Sequence, residues 1–267
     1  MICYPNAKIN IGLKILSKRN DGFHNLNSFF YAIPLCDVLE VNLGDNLPIT
    51  KITYSGIKFP NIQDDLILKA YHLLKQDYNL PILKIHLHKN IPYGSGLGGG
   101  SSNATHMLIL LNKMFDLKLN HNDLIKYSTL LGSDCPFFLY DKCCYVTGVG
   151  DNLEPILSTN LDGYYIVIVK PSSNLSTAEV FSKYQIKKNV KPLSRDIFYN
   201  KWSSLTNDLE TVSFDLCPDL HNCKLYLQKI GAEYISMSGS GSAIYGIFKT
   251  KPVIKHLFDG WKWEGFI

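Results

Sequence analysis

PYGSGLGGGSSNAT, residues 92–105, decides how the rest of this chain is read. Five of its first nine residues are glycine, and an apolar helical run over 106–115 follows directly. A glycine cluster that opens a helix presents bare backbone N–H groups, backed by the positive end of the helix dipole, and its common use is to hold phosphate. Glycine suits the task because the backbone must take left-handed conformations and approach the anion with no side chain in the way. Ser101, Ser102 and Asn103 are all good N-cap types for the helix that follows. A flexible linker is the plainer alternative, but linkers do not embed a leucine such as Leu97 or lead straight into a helix.

Working outward, residues 82–87 read as the strand that leads into the loop, and 66–76 as an amphipathic helix. Near the start, AKINIGLKIL (7–16) alternates Ile9, Ile11, Leu13 and Ile15 with Lys8, Asn10, Gly12 and Lys14. That is the pattern of a half-buried strand with one apolar and one polar face, and it puts Lys8 and Asn10 on the same side. Residues 38–41 and 49–54 read as further strands, and 122–131 as a helix ended by Gly132. Beyond them lie an apolar strand over 164–169, a helix over 223–230, and strands 235–237 and 243–248 around the Ser-Gly-Ser-Gly-Ser turn of 238–242. Strands and helices mixed without strict alternation predict an α+β fold. A boundary after Pro155 divides 1–155 from 156–267.

The 267 residues suffice for one large domain or two modest ones. The net charge of +4 is small and spread out, and no basic stripe accompanies the aromatics. The missing stripe argues against a nucleic-acid partner; the charge itself argues neither way, and it suits an anionic small molecule. No apolar run reaches the ~18–20 residues of a membrane span, so no membrane partner is expected. Seven cysteines without a C-x-x-C pair, with Cys143 and Cys144 adjacent, read as reduced thiols. With no signal-peptide pattern in view, the expected compartment is cytoplasmic. His86 and His88 sit two apart on a polar strand face with no third ligand near them in sequence, so they read as solvated. Trp202, Trp261 and Trp263 read as core or surface aromatics, and the tail 261–267 gives no interpretable pattern.

Three phosphate loops are possible in principle. A Walker loop needs Gly-Lys-Ser/Thr, whereas here the ending is Gly100-Ser101-Ser102. A dinucleotide fingerprint is present as Gly94-x-Gly96-x-x-Gly99, which keeps a dinucleotide-dependent oxidoreductase as an alternative; its acidic partner would have to be Asp116 or Asp123, neither at the end of a clear second strand. The third is Pro-x-x-x-Gly-Leu-Gly-Gly-Gly-Ser-Ser, which resembles the nucleotide motif of the GHMP family of small-molecule kinases. The blocks NAKIN (6–10), KRNDGFHNL (18–26), GSDCPFF (132–138), GDNLEPI (150–156), NDLE (207–210) and SMSGSGSAIYGIF (236–248) extend that resemblance across nearly the whole chain.

The resemblance implies a two-domain fold, ribosomal-S5-like in the N-terminal part and ferredoxin-like in the C-terminal part. It implies a phosphotransferase with an alcohol acceptor, using ATP and Mg²⁺ on the 2-hydroxyl of a cytidine diphosphate alcohol in non-mevalonate isoprenoid precursor biosynthesis. Another alcohol kinase of the family, acting on mevalonate or homoserine, is the nearer alternative. ATP is implied to lie on Pro92, Tyr93, Gly94, Ser95, Gly96, Leu97, Gly98, Gly99, Gly100, Ser101 and Ser102. Asp134 matches the catalytic aspartate; the residues Gly-Ser-Asp alone favour a turn or helix-capping Asp, and the block match reverses that. Lys8 matches the active-site lysine, where the plain alternative is a solvated strand lysine, and Asn10 lies near the substrate.

Phe23 and His24 match the cytosine-binding pair, with Phe standing where many relatives have Tyr; a core aromatic and a turn histidine are their plain readings. Thr177 and Phe181 resemble a second cytidine wall, with Phe181 opposite Phe23. Gly239, Ser240 and Gly241 belong to a turn implied to lie near the site. Asn103 stands where the family commonly has Asp; it either removes a charge near Mg²⁺ or caps the helix nearly as well. No metal ligand is assigned by the sequence, and the expected state is a monomer or weak homodimer.

Overall fold

A computed structural model describes residues 1–45, 47–58, 65–140, 142–254 and 258–267. In chain order the first elements are β1 (Ile2–Cys3), β2 (Asn6–Lys18), β3 (His24–Cys36), β4 (Val38–Leu43), β5 (Lys51–Gly56), α1 (Leu66–Asp77), β6 (Leu83–Lys89), α2 (Gly99–Met114) and α3 (His121–Leu131). A 3-10 turn, Cys135–Leu139, precedes β7 (Cys144–Thr147), β8 (Asn152–Pro155), β9 (Tyr165–Lys170), α4 (Thr177–Lys183) and α5 (Arg195–Lys201). The chain closes with α6 (Glu210–Leu216), α7 (Asp219–Lys229), β10 (Tyr234–Met237), β11 (Ile244–Phe248) and β12 (Trp261–Phe266). The mixture of sheets and helices is the α+β class the sequence predicts.

These elements form two compact units, one of residues 1–7, 35–93 and 98–141, the other of 8–34, 94–97 and 142–267. Residue 155, the expected boundary, lies at the end of β8 in the second unit.

The first unit is a sheet in the order β1-β4-β6-β5 with α1, α2 and α3 packed on its apolar face. The register Leu39↔Leu87 and Val41↔Ile85 aligns the buried residues of β4 and β6, so one face of the sheet is oily throughout. Helix α1 answers with Ile67, Ala70, Tyr71 and Leu74, spaced as one helical stripe. Its start is fixed by Asp65, whose carboxylate accepts from the amides of Ile67 and Leu68.

The second unit holds two sheets, β2-β3-β7-β8 and β10-β11-β9-β12. Strand β9 lies between β11 and β12, and all six of its residues are buried, the apolar run 165–169 and Lys170 after it. Leu220, Cys223 and Leu227 of α7 pack with Val167 and Val169 of β9 and with Leu13 and Ile15 of β2.

Several expectations change in detail. The polar side of β2 is not solvated: Lys8 is 3% and Asn10 2% exposed. Strand β3 has no counterpart in the sequence reading, because its Phe-Phe-Tyr-Ala-Ile run hides the period of two and Pro34 interrupts it. The tail is strand β12, antiparallel to β9, with Trp263 opposite Ile168. Helix α7 begins at Asp219, four residues before the expected start. His86 and His88 are half-buried rather than solvated; Thr53 and Ser55 of the neighbouring β5 take both ring nitrogens of His86 and the Nδ1 of His88 within 2.8–2.9 Å.

All seven cysteines are free thiols, and burial pushes Cys135 up to about 11 and Cys144 and Cys223 to about 12. Such thiols are protonated and inert at neutral pH. Among the described residues no helix is long and apolar enough to cross a membrane.

Candidate active site

The glycine-rich stretch is shared between the units. Residues 94–97 pack in the second, whereas Pro92, Tyr93 and residues 98–102 belong to the first.

In the first unit, helix α2 starts earlier than its serines suggest. Gly98 is the N-cap, in a left-handed conformation (φ 72°, ψ 14°), so Ser101, Ser102 and Asn103 lie inside the first two turns and do not cap. A glycine cap has no side chain to accept from the helix, and the amides of Gly99, Gly100 and Ser101 precede the first intrahelical bond, Ser102 N–H to Gly98 O at 2.9 Å. The approach to the loop is pinned from below. Asp37, fully buried at the start of β4, accepts from the amides of Asn90 (2.7 Å) and Ile91 (2.8 Å) and forms an ion pair with buried Lys89. Burial lowers the pKa of Lys89, and Asp37 opposes that shift. A β-carbon on Gly99 would stand 2.8 Å from Ile91 Cγ2 and 2.9 Å from Lys89 Nζ, so the helix sits directly on this pair.

Asp134 is half-buried at the head of the 3-10 turn and makes no capping hydrogen bond to it, which removes the helix-cap reading. The turn is tied to α2 by Thr105, whose hydroxyl donates to the carbonyl of Cys135 at 2.8 Å. Pro92 is buried and Tyr93 is exposed.

In the second unit, residues 94–97 lie against the turn between β10 and β11. Ser242 N–H donates to Gly94 O, Ala243 N–H to Ser95 O (3.0 Å), and Ser238 Oγ to Gly96 O (2.8 Å). Gly239 and Gly241 have positive φ. Asn207 of the NDLE block holds the turn from behind, donating to the carbonyls of Met237 (2.8 Å) and Gly239 (2.7 Å). The backbone N–H of Lys8 donates to Leu97 O at 3.0 Å.

Lys8 Nζ donates to Asn10 Oδ1 at 2.6 Å and lies 4.3 Å from the centre of the Phe30 ring, a cation–π distance. Asn10 Nδ2 donates to Ser28 Oγ at 3.0 Å, and Ser28 Oγ donates to Gly12 O at 2.6 Å. Sequence reasoning finds Lys8 and Asn10 through their shared face but misses Ser28 and Phe30, which lie on β3.

Phe23 is 62% exposed, as a side chain offered to a ligand would be. His24 is half-buried, and its ring faces Phe181 with centroids 5.3 Å apart. The ring pair formed by these residues is therefore His24–Phe181. Burial, with a smaller contribution from Lys18, holds His24 below its ordinary pKa of 6.5. Thr177 begins α4, and its hydroxyl lies 2.9 Å from that of Ser240. Ahead of α4, Lys170 is buried and donates to Pro171 O, Ser173 O and Asn174 Oδ1, an internal staple that the sequence gives no sign of.

Residues 65–142 match the GHMP kinases N terminal domain, and residues 183–263 the GHMP kinases C terminal family. The chain is 42% identical over 254 residues to the 4-diphosphocytidyl-2-C-methyl-D-erythritol kinase of Azobacteroides pseudotrichonymphae genomovar. CFP2, covering 93% of this chain and 94% of the relative. It is 40% identical over 273 residues to the like-named kinase of Parabacteroides distasonis, covering 99% of each. A crystal structure of 4-(cytidine 5'-diphospho)-2C-methyl-D-erythritol kinase superposes with a TM-score of 0.78 at 28% identity, over 92% of this chain and 90% of that one.

Proposed function

Because the chain belongs to the GHMP kinase family, we propose that it transfers a phosphoryl group from ATP to the 2-hydroxyl of 4-diphosphocytidyl-2-C-methyl-D-erythritol, a step of non-mevalonate isoprenoid precursor biosynthesis. The observation that carries this reading is the match, at 40% identity or more and over nearly the whole chain, to relatives of that name. We assign the family's N- and C-terminal parts to 1–155 and 156–267; the matched spans fall on either side of that division. The enzyme is cytoplasmic in this reading and acts as a monomer or weak homodimer.

Asp134 accepts the proton of the attacking hydroxyl. A tertiary alcohol is a poor nucleophile at neutral pH, and a positioned carboxylate gives that proton a place to go. The acceptor oxygen bonds to the terminal phosphorus of ATP as the bond to the ADP oxygen breaks, with no phosphoenzyme between. Lys8 supplies positive charge where negative charge develops. The amides of Gly99, Gly100 and Ser101, at the positive end of α2, hold phosphate oxygens. Phe23 stacks on the cytosine, while His24, neutral at pH 7, offers one donor and one acceptor to its polar edge. Thr177 and Phe181 complete that wall.

One atom of the chain suits Mg²⁺. Asn103 Oδ1 is buried and accepts no hydrogen bond, and an amide oxygen is a hard ligand of the kind this ion takes. The contribution of the ion when bound would be to neutralise phosphate charge. Among the described residues no group of three His, Cys, Asp or Glu side chains could hold a metal, so phosphate and water would supply the remaining ligands.

The test is coupled ADP release with ATP, Mg²⁺ and the cytidine diphosphate alcohol, against a control lacking the acceptor. Acceptor-dependent release is expected. Binding of ATP without it would move the reading to another alcohol, and preferential binding of NAD(P) would overturn it. Asp134→Asn, with an unchanged melting curve, is expected to lower turnover by about 10²–10⁴-fold.

A further inference from the structure

The order of donors and acceptors along Lys8, Asn10, Ser28 and Gly12 has only one consistent solution. A lysine ammonium offers donors only, so the atom of Asn10 that faces it at 2.6 Å must be the carbonyl oxygen. The amide NH₂ of Asn10 then points at Ser28 Oγ, 3.0 Å away, and needs a lone pair there. Ser28 can give that lone pair because its single hydrogen goes to the carbonyl of Gly12 at 2.6 Å. All four groups are satisfied in this direction and in no other.

The backbone of Asn10 has bonds of its own, although Ser238 Oγ also lies 3.5 Å from Asn10 Oδ1. Its N–H donates to Ser238 Oγ at 3.3 Å, and its carbonyl accepts from the hydroxyl of Tyr245 at 2.7 Å. What these bonds leave open is the rotation of the terminal amide. Ser28 is fully buried, so no solvent can take over its part.

We infer that Ser28 is a positioning residue for the phosphoryl transfer: it locks the Asn10 amide with its oxygen toward Lys8 and so holds the Lys8 ammonium in place. The inference rests on the proposed kinase reading for its kinetic consequence, and on geometry alone for the lock. Without the Ser28 hydroxyl, the Asn10 NH₂ loses its acceptor. The amide is then held by Lys8 itself and by a long contact from Ser238 Oγ to Asn10 Oδ1 (3.5 Å), so it turns more readily, and a turned amide presents hydrogens to an ammonium and repels it.

The kinetic test compares kcat and KM of wild type, Ser28→Ala and Ser28→Cys in acceptor-dependent ADP release, alongside melting curves. Cysteine keeps the volume but is a weak acceptor, so it stands in if alanine fails to fold. A fall in kcat of about tenfold or more is expected, with KM for ATP within about twofold, because charge placement matters most in the transition state. In an Asn10→Ala background the same Ser28 change is expected to cost less than about twofold, since the lock then has nothing to hold. An unchanged kcat in a folded variant, or equal losses in both backgrounds, overturns the inference. A crystal structure of Ser28→Ala supplies a readout free of activity. Lys8 Nζ beyond hydrogen-bond reach of Asn10 supports the lock, and an unmoved Lys8 overturns it. Wild type without acceptor-dependent release brings down the functional reading, and the crystal structure still decides the lock.

Discussion

Gly96 and Gly100 stand four residues apart in one glycine-rich stretch, yet the molecule needs them for different reasons. Gly96 has φ of +75°, and a β-carbon there would lie 2.0 Å from the carbonyl oxygen of Ser238. That oxygen is backbone and cannot step aside, so the second unit requires glycine at 96 simply to close the packing of 94–97 on the serine-rich turn. Gly100 has ordinary helical φ, and a β-carbon would meet nothing nearer than Leu66 Cδ1 at 3.6 Å, an ordinary contact. Nothing in the folded chain asks for glycine at 100. A glycine that the fold does not need, in the first turn of a helix, leaves room that the proposed phosphate site would use. The comparison thus separates the structural half of the loop from the half that the proposed reaction uses.

The largest effect is expected where the ligand-serving half rests on the core. Lys89→Met removes the cation from a buried ion pair and leaves Asp37 charged and enclosed beneath Gly99. Breaking such a pair costs about 3–5 kcal/mol, to be read from denaturant unfolding. A smaller loss would mean that the two backbone amides on Asp37 suffice to hold it. Gly96→Ala comes next. Left-handed strain and a backbone collision together are expected to cost about 3 kcal/mol in the same measurement. A variant that melts with wild type would remove the distinction between the two glycines.

Gly100→Ala sharpens the comparison most, because stability and activity are expected to part. Alanine in place of a helical glycine stabilises by up to about 1 kcal/mol, whereas kcat/KM for ATP is expected to fall about tenfold or more. Unchanged activity would show that phosphate does not approach the helix at this position.

The same contrast explains what the sequence made legible. The glycine cluster, the shared face of Lys8 and Asn10, and the helices α1 and α3 are local patterns, set by neighbours within a turn or a strand, and they read out directly. Ser28 and Phe30 were hidden because their meaning lies in a pairing between strands: nothing near them in sequence shows that β3 lies beside β2. The true cap of α2 was hidden for another reason. Three good capping residues follow Gly98, and side-chain preference points to them, whereas the conformation that begins the helix is the left-handed one only glycine takes cheaply. For Asp134, capping and catalysis ask for the same residue type in Gly-Ser-Asp, so the sequence could not choose between them; in the fold its side chain makes no capping bond to the turn it heads.

Thr105 is the smallest and most discriminating case. Its hydroxyl, fully buried in the second turn of α2, makes the bond to Cys135 O that ties the turn carrying Asp134 to this helix. Valine matches its shape and leaves that carbonyl without the donor, at a cost of about 1–2 kcal/mol in stability. If Asp134 is the base, this small loss should be accompanied by a fall in kcat, because a carboxylate displaced by a fraction of an ångström no longer meets the hydroxyl in line. The KM for ATP should stay near wild type, since the amides of the first helical turn are untouched. A Thr105→Val enzyme that loses stability but keeps kcat would show that the turn tolerates movement, and would detach the placement of Asp134 from α2, the helix proposed to hold the phosphates.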